Sequence, residues 1–223
     1  MLSRVEIKSK SKIQLNNNWK IPVLLSAILM IISMFIERRV AYNGNSFFTI
    51  LLHLVVSILS INLSMIYINI AKSKGKDEIT FKDASVSLEQ YLKCAIYSIL
   101  IWAITFAITS LFLILSSFLM WISPLLFIIL FICSFFIGGI ISLYATFAIT
   151  AILDKGCSSS EAISISFNLV KYSFWKVVLF ALSFIGWMIL SCLTLGIAGV
   201  WVLPYIGVSF ANYYFELCDE KLR

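Results

Sequence analysis

The chain has 223 residues, of which 61% are hydrophobic and only 13% charged, with a net charge of +6 and a mean hydropathy of +1.00. Soluble domains are about 45–50% apolar and about 25% charged, and a domain of this size has too little interior to hide the excess. A water-soluble fold is therefore excluded, and lipid is the expected solvent. A closed barrel would need alternating strands, whereas the apolar runs here are continuous, so helices are expected.

Six stretches are long and apolar enough to cross a bilayer, which takes about 20 residues. They lie at residues 21–36, 47–71, 92–118, 124–153, 177–194 and 199–217. The fold class expected is an all-α, polytopic bundle forming a single membrane domain over residues 1–223. The first span follows a basic N-terminus, as a signal peptide would, but Glu37-Arg38-Arg39 stands where a cleavage site needs small residues. It is read as a retained span. Pro22 and Pro124 fall at span starts, where a missing N–H does no harm. Pro204 lies inside the last span and is expected to kink it, and Gly196 with Gly199 permits a tight turn before it.

Fifteen of the 17 lysines and arginines fall in the N-terminal segment, the second and fourth connections and the C-terminal tail. Arg38 and Arg39 alone fall on the other side. Cytoplasmic connections carry the positive excess, so both termini are expected in the cytoplasm, in the cell membrane. That bias also accounts for the net charge without a nucleic-acid partner. All eleven acidic residues lie in connections or at span ends. Intramembrane charges usually mark ion or proton paths, and their absence from span centres argues against a proton-coupled pump. Cys94, Cys133, Cys157, Cys192 and Cys218 form no C-x-x-C pair, so neither a disulfide framework nor a metal site is expected, and no cofactor is.

Three hairpins emerge along the chain, each entered from an amphipathic cytoplasmic stretch, at residues 3–18, 80–91 and 158–175. Ser3-x-x-Glu6, Thr80-x-x-Asp83 and Ser158-x-x-Glu161 fit helix-opening capping boxes. Each stretch ends on an aromatic beside a lysine, such as Trp19-Lys20 and Trp175-Lys176, which suits the headgroup zone. A threefold repeat of interfacial helix plus hairpin is the organisation expected.

Within the spans, His53, Ser57, Ser60 and Ser64 share one helical face, and Thr105 and Thr109 lie with Ser98 and Ser116 on another. Span four has a small-residue face of Ser134, Gly138, Ser142 and Ala145. Such stripes most often pack helices closely and hydrogen-bond across them. The functional alternative is a polar path through His53, Ser57, Ser60, Ser64, Thr105 and Thr109. His53 and Ser57 lack the orienting group and oxyanion site that nucleophilic catalysis requires, so no catalytic residue is assigned and the chain is read as not an enzyme.

The succession Leu182-Ser183-Phe184-Ile185-Gly186-Trp187, Leu193-Thr194-Leu195-Gly196-Ile197, then Trp201 and Pro204-Tyr205 resembles an uncharacterised family of bacterial multi-pass membrane proteins, domain of unknown function 975. Glu161-Ala162-Ile163, Ser166, Lys171 and Trp175 carry the likeness further, as do Lys8, Lys10, Leu15, Asn17 and Trp19 at the N-terminus. Family members usually have a glycine where Tyr172 stands here. The resemblance implies six spans in a bacterial cytoplasmic membrane and structural roles for Gly186, Trp187, Gly196, Pro204 and Tyr205. It supplies no activity. The function expected is a non-enzymatic membrane protein acting through lipid, peptide or protein contacts, for example an immunity or export accessory beside a peptide, toxin or exporter subunit, and a homo-oligomer is compatible with it. The alternative is a small transporter or channel for a neutral, lipid-like or peptide solute.

Overall fold

The computed structural model describes residues 2–43, 47–73, 78–120 and 123–222. Among these the chain is helical without strands. Eight α-helices follow one another: α1 (Arg4–Asn16), α2 (Lys20–Asn43), α3 (Phe47–Lys72), α4 (Leu88–Met120), α5 (Pro124–Lys155), α6 (Ser159–Leu182), α7 (Ile185–Leu193) and α8 (Gly199–Leu222). Five segments are long and apolar enough to cross a membrane: Lys20–Tyr42, Phe47–Lys72, Leu88–Phe118, Pro124–Lys155 and Ser159–Leu193. The sixth expected stretch forms in full as α8, but glycine, proline, tyrosine and Asn212 dilute its apolar character.

Local chemistry explains the helix boundaries. Ser3 Oγ accepts from the Glu6 N–H at 3.2 Å, and the Glu6 carboxylate accepts from the Ser3 N–H at 2.6 Å. The same reciprocal pair forms at Ser158 and Glu161, with 2.9 and 3.3 Å. One departure from expectation stands out. The stretch at residues 80–91 is not a separate amphipathic helix. Asp83 does accept from the Thr80 N–H at 2.7 Å, but it closes only a 3₁₀ turn, Phe81–Ala84. Ser85 is then extended, and α4 starts afresh on a further capping box at Ser87 and Gln90. At the third stretch, α6 runs on toward the apolar segment with a kink at Ser173, where φ is −127°. Pro124 opens α5 and left-handed Gly156 closes it. The turn between α7 and α8 reverses through Leu195 and Gly196, at φ 51° and 88°.

The chain divides into two compact units. The first holds Met1–Tyr91 and Ser173–Arg223, the second Leu92–Tyr172. In the first, α2 and α3 form a hairpin, α8 packs against both, and α1 lies against α8 and the end of α3. Gly207 of α8 lies so close to Tyr67 of α3 that a Cβ there would collide with the tyrosine ring carbons. Phe180 stacks on Tyr213 at 4.3 Å, and Phe184 meets Tyr205 edge-on at 5.6 Å. In the second unit, Lys93 Nζ donates to the Gly156 carbonyl at 2.7 Å and Ser159 Oγ to the Lys93 carbonyl at 2.9 Å. Ser166 Oγ ties α6 to the Tyr144 carbonyl of α5 at 2.6 Å.

Candidate functional site

Polar chemistry in the first unit concentrates around α1. One face of this helix is buried through Ile7, Ser11, Gln14 and Leu15, a spacing that makes a single stripe. Asn212 of α8 donates to Ser11 Oγ at 3.0 Å and to Gln14 Oε1 at 2.6 Å. Gln14 Nε2 in turn donates to the carbonyls of Ala71 and Ser73, each at 3.0 Å. These carbonyls belong to the end of α3, where the helix has no further N–H to offer them. Gln14 is thus a side-chain cap for α3 supplied from α1. Asn18 continues the network by donating to the Gln14 carbonyl at 3.2 Å and accepting from the Ile79 N–H at 2.8 Å. Buried polar groups are stable when hydrogen-bonded in this way, and the network fixes α1 across the ends of α3 and α8.

A different face of α1 carries Arg4, Lys8 and Lys12 at successive turns. Between α6 and α7 the helix breaks at residues 183–184, leaving carbonyls without helical partners. Lys8 Nζ donates to the Ser183 carbonyl at 2.8 Å and lies 4.0 Å above the Phe184 ring. Arg4 Nη1 donates to the Leu179 carbonyl at 3.4 Å. Cations at a helix C-terminus match its partial negative charge, so α1 caps α6 as well as α3. Lys12 Nζ lies 5.6 Å from the Tyr205 ring and 6.0 Å from that of Trp187. Together Val5, Lys8, Ser9, Lys12, Trp187 and Tyr205 line an open groove of about 360 Å³. Partial burial, then the neighbouring Arg4 and Lys12 charges, push the Lys8 ammonium pKa below its usual value. The groove is therefore crowded with like charge and favours an anion.

The residues predicted for a polar path are placed differently. His53, Ser57 and Ser60 are exposed on α3. Ser57 Oγ donates to the His53 carbonyl at 2.9 Å, Ser60 to Val56 at 2.7 Å and Ser64 to Ser60 at 2.9 Å. On α4, Thr105 donates to the Ile101 carbonyl at 2.7 Å and Thr109 to Thr105 at 2.8 Å. Each hydroxyl thus turns back onto its own helix. The two stripes also belong to different units. Thr105 does line a groove of about 320 Å³ between α4 and α5, with Ser98, Gly138, Ser142 and Ala145. Of the motif residues, Gly186 is the second residue of α7, and Gly196 sits in the left-handed turn. α8 continues through Pro204. Trp187 and Tyr205 meet edge-on at 6.0 Å in the wall of the lysine groove.

Sequence reasoning missed Ser11, Gln14 and Asn212. The available signal was an asparagine inside an apolar run, since a polar side chain there needs a partner. Its partners lie about two hundred positions away in the chain, beyond the reach of any local pattern. Compared with known proteins, residues 1–221 match a family model described as a protein of unknown function, DUF975. No curated protein and no solved structure matches the chain.

Proposed function

This chain belongs to the DUF975 family, and we propose that it is a non-enzymatic integral protein of the bacterial cytoplasmic membrane, acting through contacts made at its α1 side. Both termini lie in the cytoplasm in this reading, as the lysine bias requires. The groove of Lys8, Lys12, Trp187 and Tyr205 is the observation that carries it. Ammonium groups attract anionic headgroups, and tryptophan and tyrosine favour the interface where those headgroups sit. The first contact proposed is an anionic phospholipid of the inner leaflet. A peptide, toxin or exporter subunit would meet the same face in an immunity or accessory role.

The test is lipid retention. Protein purified from mixed phosphatidylglycerol and phosphatidylcholine nanodiscs is expected to retain the anionic lipid preferentially in native mass spectrometry. The Lys8→Gln, Lys12→Gln double variant should lose that preference. Equal retention of both lipids by the unaltered protein refutes the reading. Reporter fusions after Ala71 test the orientation, and an external reporter refutes it. A small transporter or channel is the second reading, favoured by the groove that Ser98, Thr105 and Ser142 line between α4 and α5. Solute flux in proteoliposomes that is lost on Thr105→Ala, with the fold retained, would make it the better one.

A further inference from the structure

We infer that α7 and α8 form a re-entrant hairpin that enters lipid from the α1 side, turns near the bilayer midplane and returns, embedded in the acyl chains of that one leaflet. Three rulers in the first unit each fall short of a full crossing. Along α8, Asn212 marks the level at which α1 crosses, and Lys72 lies 5.8 Å from the Phe215 ring just beyond it. From Asn212 back to Gly199, the first residue of α8, a helix rises about 20 Å, against a hydrocarbon core of about 30 Å. Along the other arm, the Lys8 ammonium fixes the polar level at the Ser183 carbonyl, and the nine residues of α7 rise only about 14 Å from there. The third ruler is α2. A Cβ on Gly196 would lie 3.1 Å from Met30 Cε, and one on Gly199 3.6 Å from Met30 Sδ. Met30 stands about 15 Å from Lys20, and α2 continues about 20 Å further to Asn43. The turn therefore reaches less than halfway along α2.

Most of the buried residues of α2 and α3 lie on the α1 side of that level. Leu25 and Ser26 on α2, and Leu63, Ile66 and Ile70 on α3, are covered. Beyond the level of the turn, Ile36 and Thr49 are still buried, but Ile31, Phe35, Phe48, Leu51 and Leu54 are exposed.

The turn itself is built for lipid. Non-helical backbone survives at membrane depth only if its polar groups find partners. Every N–H from Thr194 to Val200 does so locally. Thr194 bonds to Leu190, Leu195 to Cys192, Gly196 to Ser191, Ile197 to Thr194, Gly199 to Gly196 and Val200 to Ile197, all at 2.7–3.3 Å. The Ala198 N–H is met by Thr194 Oγ1 at 3.0 Å. The side chains around it are apolar and outward: Leu195 is 89% exposed and Ile197 67%. Such a tip is ill suited to water and well suited to acyl chains. Length and composition admit Ser159–Leu193 as a span, but the Ser173 kink and the break before Ile185 divide it. The termini share a face whether the hairpin crosses or returns.

The experiment is cysteine labelling of the full chain in sealed vesicles. Leu195→Cys, Ile197→Cys and, as reference, Tyr42→Cys are each introduced beside the native cysteines and quantified by peptide mass spectrometry. An impermeant maleimide applied to the Tyr42 side should label Tyr42→Cys and leave residues 195 and 197 labelled about tenfold or more slowly, from either side, until detergent is added. Labelling of Leu195→Cys as fast as Tyr42→Cys overturns the inference. A fluorophore on residue 195 gives a second measurement. Quenching should be strongest by lipids with a nitroxide near the acyl-chain end, and strongest quenching from headgroup nitroxides overturns the inference as well. The depth of the turn does not depend on which face α1 occupies, so an inverted orientation sinks the proposed placement and leaves this result standing.

Discussion

Replacing Gly207 by alanine tests a close contact between α3 and α8. In an ordinary helix interior this change stabilises by about 0.5–1 kcal/mol, because alanine has the better propensity. Here the new methyl group would fall within the ring of Tyr67, so the ring or one of the two helices must shift. Overpacking of this kind costs about 1–3 kcal/mol. The net expectation is a loss of about 1–2 kcal/mol, opposite in sign to the propensity effect. Unfolding of the purified protein in mild detergent would measure it, together with the Tyr67→Ala variant and the double variant. With the ring removed, Gly207→Ala should become neutral or favourable, giving a coupling energy of about 1–3 kcal/mol. The reasoning is refuted if Gly207→Ala stabilises the intact protein, or if its effect is the same with and without the Tyr67 ring.

Two further predictions concern α1. Gln14→Leu removes the donors to Ala71 and Ser73 and the acceptor for Asn212, leaving buried groups unsatisfied at about 1–3 kcal/mol each. Faster proteolysis within residues 4–16 is the expected readout, and unchanged cleavage would count against the network. The Glu6 carboxyl pKa is held below the ordinary carboxylate range, chiefly by the Ser3 N–H and then by the Ser3 hydroxyl. Its folded value is thus depressed, the unfolded chain binds the proton more readily, and the cap's contribution is full above the unfolded pKa and lost as pH falls through the folded one. The Ser3 amide resonance should titrate with a midpoint below about 4.3, the value for a free glutamate, and a midpoint at or above it refutes the box.

Local signals were legible where local chemistry decides. The boxes at Ser3 and Ser158 formed because a hydroxyl and a carboxylate three residues apart satisfy each other's N–H groups. The Thr80 box also formed, yet an extended Ser85 followed it and the helix began again at Leu88. The box signal is equally good at Ser87 and Gln90, and spacing alone did not say which one starts the long helix. The polar stripes fall on α3 and α4. Their chemistry was not legible, because a serine or threonine in a span can bond across an interface or back to its own carbonyl, and these choose the latter. The break before Ile185 was hidden for a different reason. Its residues read locally as continuous helix, and its freed carbonyl is met by Lys8, about 175 positions earlier.

That distant partnership gives the motif residues a physical meaning. Leu182-Ser183-Phe184 is the break, and Ser183 supplies the carbonyl that Lys8 caps. Phe184 offers its ring to the same ammonium and its edge to Tyr205. Thr194-Leu195-Gly196-Ile197 is the turn whose N–H groups all find local acceptors. Pro204-Tyr205 returns the chain to Trp187, beside Lys12. These contacts close one hairpin and fasten it to α1. An activity encoded here would therefore be read out through where the hairpin stops and what α1 holds at its base. Lys8 and Lys12 each contact hairpin residues and also line the groove. A ligand that draws Lys8 from the Ser183 carbonyl would uncap α6 at the point where the hairpin begins.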